Sequence, residues 1–341
     1  MAICLLVVFV GVVFLRLVVG TSRFGFSLGS DAWIVLAYRG DRLVVAAVVG
    51  AALAVAGVAL QALLRNPLAE PFILGLSTGA AAGIVGQRLL AAALSLSLGV
   101  GFGGAGIGAA FCMLVVYLAS RRRGVLDPLG LLLTGVVLST INGALIMLAV
   151  HLQPNLLRVE LSEWMMGYLN VDHGAVASWL TGVIKDGSTF WVGFPWLLFS
   201  IGGFLLTGFW LLWRQARAMD VATLSPGEAE AMGVNLRRLR LVLFFVSSGL
   251  AAGAVVLAGP IAFVGLVGPH VARLLVGPSH RGLLWCSMLI GASLVILSDA
   301  AGAALARWWN VGVVPLGVFT AVVGGLTFLW MLRPHLGRGV Q

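Results

Sequence analysis

Residues 214–240 read RQARAMDVATLSPGEAEAMGVNLRRLR, the longest polar interruption in a chain that is otherwise mostly apolar. The stretch carries eight charged residues, Arg214, Arg217, Asp220, Glu228, Glu230, Arg237, Arg238 and Arg240. Within it Ser225-Pro226-Gly227-Glu228 reads as a helix start. Ser225 is the N-cap and Pro226 takes the first helical position. Glu228 at the third position closes a capping box and suits the positive end of the helix dipole. A helix over 226–232, stopped by Gly233, is about two turns long, too short to be stable without a partner surface. Two readings are open for it: a docking helix offered to a soluble protein, or an ordinary solvated loop.

Of the 341 residues, 60% are hydrophobic and 10% charged, and the mean hydropathy is +1.08. A soluble domain has about a quarter of its residues charged, so this chain cannot cover a water-facing surface and reads as a polytopic membrane protein. Apolar runs of about 17–25 residues cross the hydrocarbon core as helices. Ten are predicted, at 2–19, 43–63, 71–92, 97–119, 129–150, 190–213, 240–258, 261–277, 283–299 and 311–332. The expectation is one all-α domain over 1–341 with ten transmembrane helices. The first run lacks a basic leader and a small-x-small cleavage site and carries Arg16, so it reads as an anchor rather than a signal peptide.

The net charge of +9 reports orientation rather than nucleic-acid binding, because the arginines sit at the ends of apolar runs. With a cytoplasmic N-terminus, the inside loops hold Arg65, Arg121, Arg122, Arg123, the 214–240 arginines and Arg281, and the inside tail holds Arg333 and Arg338. The outer segments mix arginines with acids. Both termini are therefore expected in the cytoplasm. The turn Gln61-Ala-Leu-Leu-Arg-Asn-Pro-Leu-Ala-Glu-Pro71 has two prolines four residues apart, which restrict Asn66 and Glu70 to extended conformations and predict a stiff corner. Small residues over 75–83 and 99–110 predict close backbone packing of the third and fourth spans. Residues 156–170 read as an amphipathic interfacial helix with Trp164 and Tyr168 at interface depth, serving as an anchor or a gate.

Catalytic chemistry is not visible. The single lysine, Lys185, stands in no GxxxxGK[ST] motif, so the chain itself does not hydrolyse ATP. The match to GxGxxG at 101–106 follows no strand and is not a nucleotide fingerprint. Cys4, Cys112 and Cys286 lie far apart in apolar runs, and the five histidines show no HExxH or paired spacing, so neither disulfides nor a metal site are expected. Asp299 and Arg307 fall at span ends and mid-membrane carboxylates are essentially missing, which argues for a pathway powered from elsewhere rather than a proton-driven secondary transporter.

The run Gly259-Pro-Ile-Ala-Phe-Val-Gly-Leu-Val-Gly-Pro-His270-Val-Ala-Arg273, followed by Gly277-Pro-Ser-His280-Arg281, closely resembles the FecCD-type permeases, membrane subunits of type II ABC importers for ferric siderophores, haem and cobalamin. Gly57-Val-Ala-Leu-Gln61, Asn66-Pro67-Leu68-Ala69, Pro71-Phe-Ile-Leu-Gly75, Trp164-Met-Met-Gly167 and Gly227-Glu228 with Gly233-Val234 match in the same order. The resemblance implies a bacterial inner-membrane homodimer with its path on the two-fold axis and no cofactor of its own. It also implies a periplasmic binding protein outside and two cytoplasmic ATPase subunits that hold ATP and Mg²⁺. The ATPases would dock on Leu224, Ser225, Pro226, Gly227, Glu228, Ala231, Gly233 and Val234. Arg39 and Arg42 match the R-x-x-R before the second helix that meets acids on the binding protein, and the inner gate corresponds to Asn66, Pro67, Pro128 and Leu129. The substrate implied is an iron–siderophore or haem, with cobalamin as the alternative and a stand-alone secondary transporter as the rival class. His151 or His173 could touch haem iron at the outer mouth or be structural. The sequence departs from the family at Val314-Pro315-Leu316-Gly317, where a Glu is missing, at Ala303, where an arginine is common, and in a long outer loop at 171–188.

Overall fold

The computed structural model describes residues 2–19, 32–95, 102–122, 125–169, 196–310 and 314–336; the outer loop at 171–188, with His173 and Lys185, lies outside them. The helices are α1 (Ala2–Val18), α2 (Ala32–Leu64), α3 (Leu76–Ala93), α4 (Phe102–Ala119), α5 (Pro128–Leu152), α6 (Pro154–Met165), α7 (Trp196–Val221), α8 (Pro226–Ala231), α9 (Leu236–Ala258), α10 (Val264–Val276), α11 (His280–Trp308) and α12 (Leu316–Leu336). Each of the ten apolar runs contains a helix, and the other two, α6 and α8, fall where the polar segments were expected to fold. Four stretches, Tyr38–Leu64, Pro128–Leu152, Leu236–Ala258 and His280–Trp308, are long and apolar enough to cross a membrane by length and composition alone. A two-residue antiparallel ladder, β1 (Arg121–Arg122) with β2 (Val125–Leu126), closes the turn between α4 and α5 and is the described exception to an all-helical chain.

The bundle is built around α2, which packs on α1, α7, α9, α10 and α11 and is buried almost throughout 45–64. Its sequence there is nearly all Ala, Val, Leu and Gly, apolar on every side, as a helix enclosed by others must be. In lipid, helix contact gains nothing from the hydrophobic effect, so the contact must come from backbone proximity. A Cβ on Gly57 would fall on the carbonyl of Gly265 in α10, and a Cβ on Gly50 would fall on Gly291 in α11. The same device joins α3 to α4, where Gly79 and Gly83 meet Gly104 and Gly108. The small-residue runs of the sequence are these crossings.

Charge fastens α1 and α11 to α2. Asp299 of α11 accepts from Arg16 Nε of α1 through Oδ2 and from Arg42 Nη2 of α2 through Oδ1, both at 2.5 Å. All three are buried, at 4%, 2% and 6% exposure. Asp299 lies well inside α11 rather than at a span end, because α11 runs nine residues beyond it to Trp308.

Breaking one partner of a buried pair costs about 3–5 kcal/mol, so Asp299→Asn should strongly lower the thermal stability of the purified chain in detergent. Gly57→Leu should destabilise by at least the roughly 1–3 kcal/mol of an overpacked core, whereas Gly86→Leu, with open space at its Cβ, should melt with the wild type.

Candidate functional site

The polar stretch folds as its caps dictate. Ser225 Oγ accepts from the Glu228 N–H at 3.4 Å, and Glu228 Oε2 accepts from the Ser225 N–H at 3.0 Å and its hydroxyl at 2.7 Å. These donors hold the Glu228 carboxyl below the usual carboxylate range. At the other end Gly233 stands at φ +82°. Val234 N–H donates to Ala229 O at 3.0 Å and Gly233 N–H to Glu230 O at 2.9 Å, the two bonds of a Schellman stop. The helix ends at Ala231, one residue before the expected Met232. From Leu224 to Gly233 only Ala229 is buried; Leu224 and Met232 are 42% and 63% exposed. A capped six-residue helix thus stands out from the body, and Ala229 and Val234 tie it to the core.

Both flanks of α8 are pinned. α7 continues past its apolar run to Val221, with Arg214 over Trp210 and Arg281 over Trp213 marking where the apolar part ends. At its end Asp220 Oδ1 accepts from the His280 N–H at 2.9 Å and lies 2.6 Å from the His280 ring Nδ1, so it caps α11 in place of Ser279, which makes no side-chain cap. After α8, Asn235 Oδ1 accepts from the Arg238 N–H at 2.9 Å and starts α9.

The corner after α2 is ordered in the way its prolines require. Arg65 takes a left-handed φ of +49°. Asn66 N–H donates to Gln61 O at 3.1 Å, and Asn66 Oδ1 accepts from the Leu68 N–H at 2.9 Å. Glu70 is extended before Pro71, which opens a 3-10 turn, Pro71–Leu74, ahead of α3. Opposite this corner lies α10, whose 13 residues span about 20 Å, short of a core about 30 Å thick; the expected span at 261–277 is helical only from Val264. Phe263 before it is left-handed at φ +67°, and its N–H is held by the Glu70 carboxylate. Pro269 inside α10 leaves the Gly265 carbonyl without its helical donor. Gln61 Nε2 supplies one at 3.4 Å, and Gln61 Oε1 in turn accepts from Arg273 Nη2 at 3.3 Å. Glu70 and Gln61 are the polar groups that reading the sequence alone left without a role. The clue was Pro269, which frees a carbonyl that some donor must meet.

A cavity of about 290 Å³ opens between this corner and the end of α7, with Asn66, Pro67, Arg65 and Arg273 in its wall. Pro128 and Leu129 are not part of it. They form the first turn of α5, capped by Asp127 Oδ2 on the Gly130 N–H at 3.0 Å, with Leu129 62% exposed. Arg240 stands between the two sites, donating to Leu126 O at 3.0 Å and sharing a smaller cavity with Arg65.

Arg39 and Arg42 differ from their expected outward placement. They lie within α2 rather than before it, and both are buried, at 4% and 6% exposure. Arg39 donates to the Leu17 and Val18 carbonyls at 2.6 and 3.3 Å, and Arg42 is bound to Asp299 and lies over Tyr168. The Arg39 guanidinium closes the end of α1 and that of Arg42 neutralises Asp299. His151 is exposed in the last turn of α5. The interfacial segment is helical over Pro154–Met165, with Leu157 and Leu161 buried against its neighbours. Beyond it Gly167 approaches Pro260 and Gly317, while Gly259 meets Trp164 and Gly317 meets Met166. Three motifs far apart in the sequence therefore meet backbone to backbone at one point.

The model of the FecCD transport family matches residues 1–334. The chain is 37% identical over 303 residues to an achromobactin transport system permease protein of Dickeya dadantii, covering 88% of this chain and 79% of that one. It is 35% identical over 337 residues to a vitamin B12 import system permease protein of Vibrio cholerae, covering 98% and 92%. A solved metal-chelate type ABC transporter in an inward-facing conformation superposes with a TM-score of 0.77 at 27% identity, covering 97% of this chain and 98% of that one. With its apolar helical bundle, its broken α10 and its exposed capped α8, the chain is an integral membrane protein that belongs to the FecCD transport family.

Proposed function

We propose that this chain is the permease subunit of an ATP-driven importer that carries an iron chelate, a ferric siderophore or haem, from a periplasmic binding protein to the cytoplasm by alternating access. The observation that carries it is α8, a short helix capped at both ends and exposed on nearly every residue. That is what a docking element for a soluble partner needs and what a solvated loop does not. In this reading ten helices cross the bacterial inner membrane, both termini are cytoplasmic, and two copies enclose the path. Two ATPase subunits, which hold the ATP and Mg²⁺, bind Leu224, Ser225, Pro226, Gly227, Glu228, Ala231, Gly233 and Val234. Asn66 and Pro67, with Pro128 and Leu129, form the inner gate. The metal-chelate neighbour supports a metal chelate as cargo, and the vitamin B12 relative supports cobalamin as the second reading. The ATPases move the permease only if they bind its two states with different affinity, since equal affinity shifts nothing.

Vesicles holding the permease with its ATPase and binding protein should take up one of ferric siderophore, haem or cobalamin when ATP is present. Uptake that persists without ATP and collapses with the proton gradient would overturn the proposal. Glu228→Arg, and Gly233→Leu at its positive φ, should each cut ATP-dependent uptake about tenfold or more while the permease still purifies as a folded protein; a tenfold loss corresponds to about 1.4 kcal/mol of docking free energy.

The cap adds a pH dependence. Glu228 has its carboxyl lowered in the folded state, so the stabilisation is fully present above the unfolded value of about 4.3 and is lost as pH falls through the folded one. Amide exchange at 226–234, corrected for intrinsic rate, should rise on acidification through that window. Ser225→Ala should show the raised exchange already at neutral pH.

A further inference from the structure

The cavity at the C-terminal end of α2 has two arginines, Arg65 and Arg273, in its wall. We infer that it is a binding site for a phosphate group, taken from an anionic phospholipid head group or from free phosphate. Its wall carries Arg65, Arg273 and Asn66, and none of its lining residues is a carboxylate. His280, also in the wall, is committed to Asp220. The donors are left over: the Arg273 guanidinium makes one hydrogen bond, a long one to Gln61, and the Arg65 guanidinium makes none among the described residues, its backbone N–H alone donating, to Ala62 O. The Asn66 carboxamide oxygen is used by Leu68, which leaves its NH₂ directed elsewhere. Spare donors without spare acceptors match an oxyanion, and guanidinium forks suit phosphate in particular.

Arg65 adds an independent sign. It occupies the left-handed stop of α2, where glycine is the unstrained residue. A long cation kept at such a position points to a task for its side chain. The volume of about 290 Å³ is at the lower end of small-ligand pockets, roughly 300–1,000 Å³, enough for a phosphate with its water and too small for a macrocyclic chelate. Basic pockets between membrane helices are known hosts of anionic lipid head groups. Ala222 and Thr223, immediately before the α8 segment, also line the cavity, so an occupant would stiffen the upstream anchor of that helix. The inference goes beyond the importer reading and does not depend on it.

The test uses the full chain alone in neutral detergent, titrated separately with short-chain phosphatidylglycerol, short-chain phosphatidylcholine and inorganic phosphate while the unfolding midpoint is followed. Phosphatidylglycerol should raise the midpoint saturably and phosphatidylcholine far less. Arg273→Gln and Arg65→Asn should each weaken the apparent affinity about tenfold or more. Arg273→Lys, which keeps the charge but loses the fork, should recover only part of it, and Arg238→Gln, which removes an exposed arginine outside the cavity, should change nothing. Saturable stabilisation by inorganic phosphate would identify free phosphate as the source, and stabilisation by phosphatidylglycerol alone a lipid head group. If Arg273→Gln does not fold, Arg65→Asn at its exposed turn decides, since asparagine tolerates the left-handed backbone. Wild type that responds to neither probe, cavity variants that titrate like wild type, or Arg238→Gln weakening as much as Arg273→Gln would each overturn the site. No ATPase is present in these titrations, so their failure leaves the importer reading untouched.

Discussion

The structure depends on how closely α2 lies against α10 and α11. Within a bilayer, apolar side chains are as well solvated by lipid as by each other, so a bundle holds by van der Waals contact and polar bonds rather than by exclusion of water. Gly50 against Gly291 and Gly57 against Gly265 place backbone on backbone, which α2 tolerates because nearly every residue over 45–60 is small or β-branched and its partners enclose it. The positions of α1, α7 and α9 follow, since each is packed on the same central helix.

That closeness also permits broken helices. An unsatisfied carbonyl in hydrocarbon is costly, so irregular backbone survives only where protein supplies the missing partner. Here both interruptions around α10 are served from the α2–α3 side: Gln61 meets the carbonyl freed by Pro269, and Glu70 meets the N–H of left-handed Phe263. The corner at 66–70 and the start of α10 are therefore one mechanical unit. A displacement of the corner must either carry Phe263 with it or give up a bond that nothing nearby replaces. Gly324 of α12, where a Cβ would strike the Phe263 ring, extends the unit to the last helix.

Much of this was legible from residues alone, for a physical reason in each case. Apolar run length locates helices because bilayer thickness is fixed, and the caps of α8 were readable because Ser225, Pro226, Glu228 and Gly233 act on their own backbone. The close packing of α3 on α4 followed from glycine spacing. Long-range pairing was not legible. Asp299 looks like a span-end acid until α11 is seen to continue to Trp308, and nothing local says that Arg16, 283 residues away, is its partner. Arg39 and Arg42 read as surface charge for the same reason: an R-x-x-R spacing fixes a helix face but not whether that face meets solvent or Asp299. The two-residue ladder at 121–126 is too short to leave a pattern of alternation.

The flanks of α8 bear on how a force applied there would travel. A six-residue helix on slack linkers would move alone. Instead α7 is a continuous helix of 26 residues, about 39 Å long, and its last turn is bound through Asp220 to the first residue of α11. On the other side only Met232 to Asn235 separate α8 from α9, whose start is capped and whose Arg240 is bonded to the turn before α5. A push on α8 would thus be delivered through stiff elements to α11 and α9, both packed on α2, and through Arg240 to the turn before α5. Because these helices meet through backbone contacts that cannot deform gradually, the response favoured is a concerted shift between two packings of α2 and its neighbours over a local bend near α8.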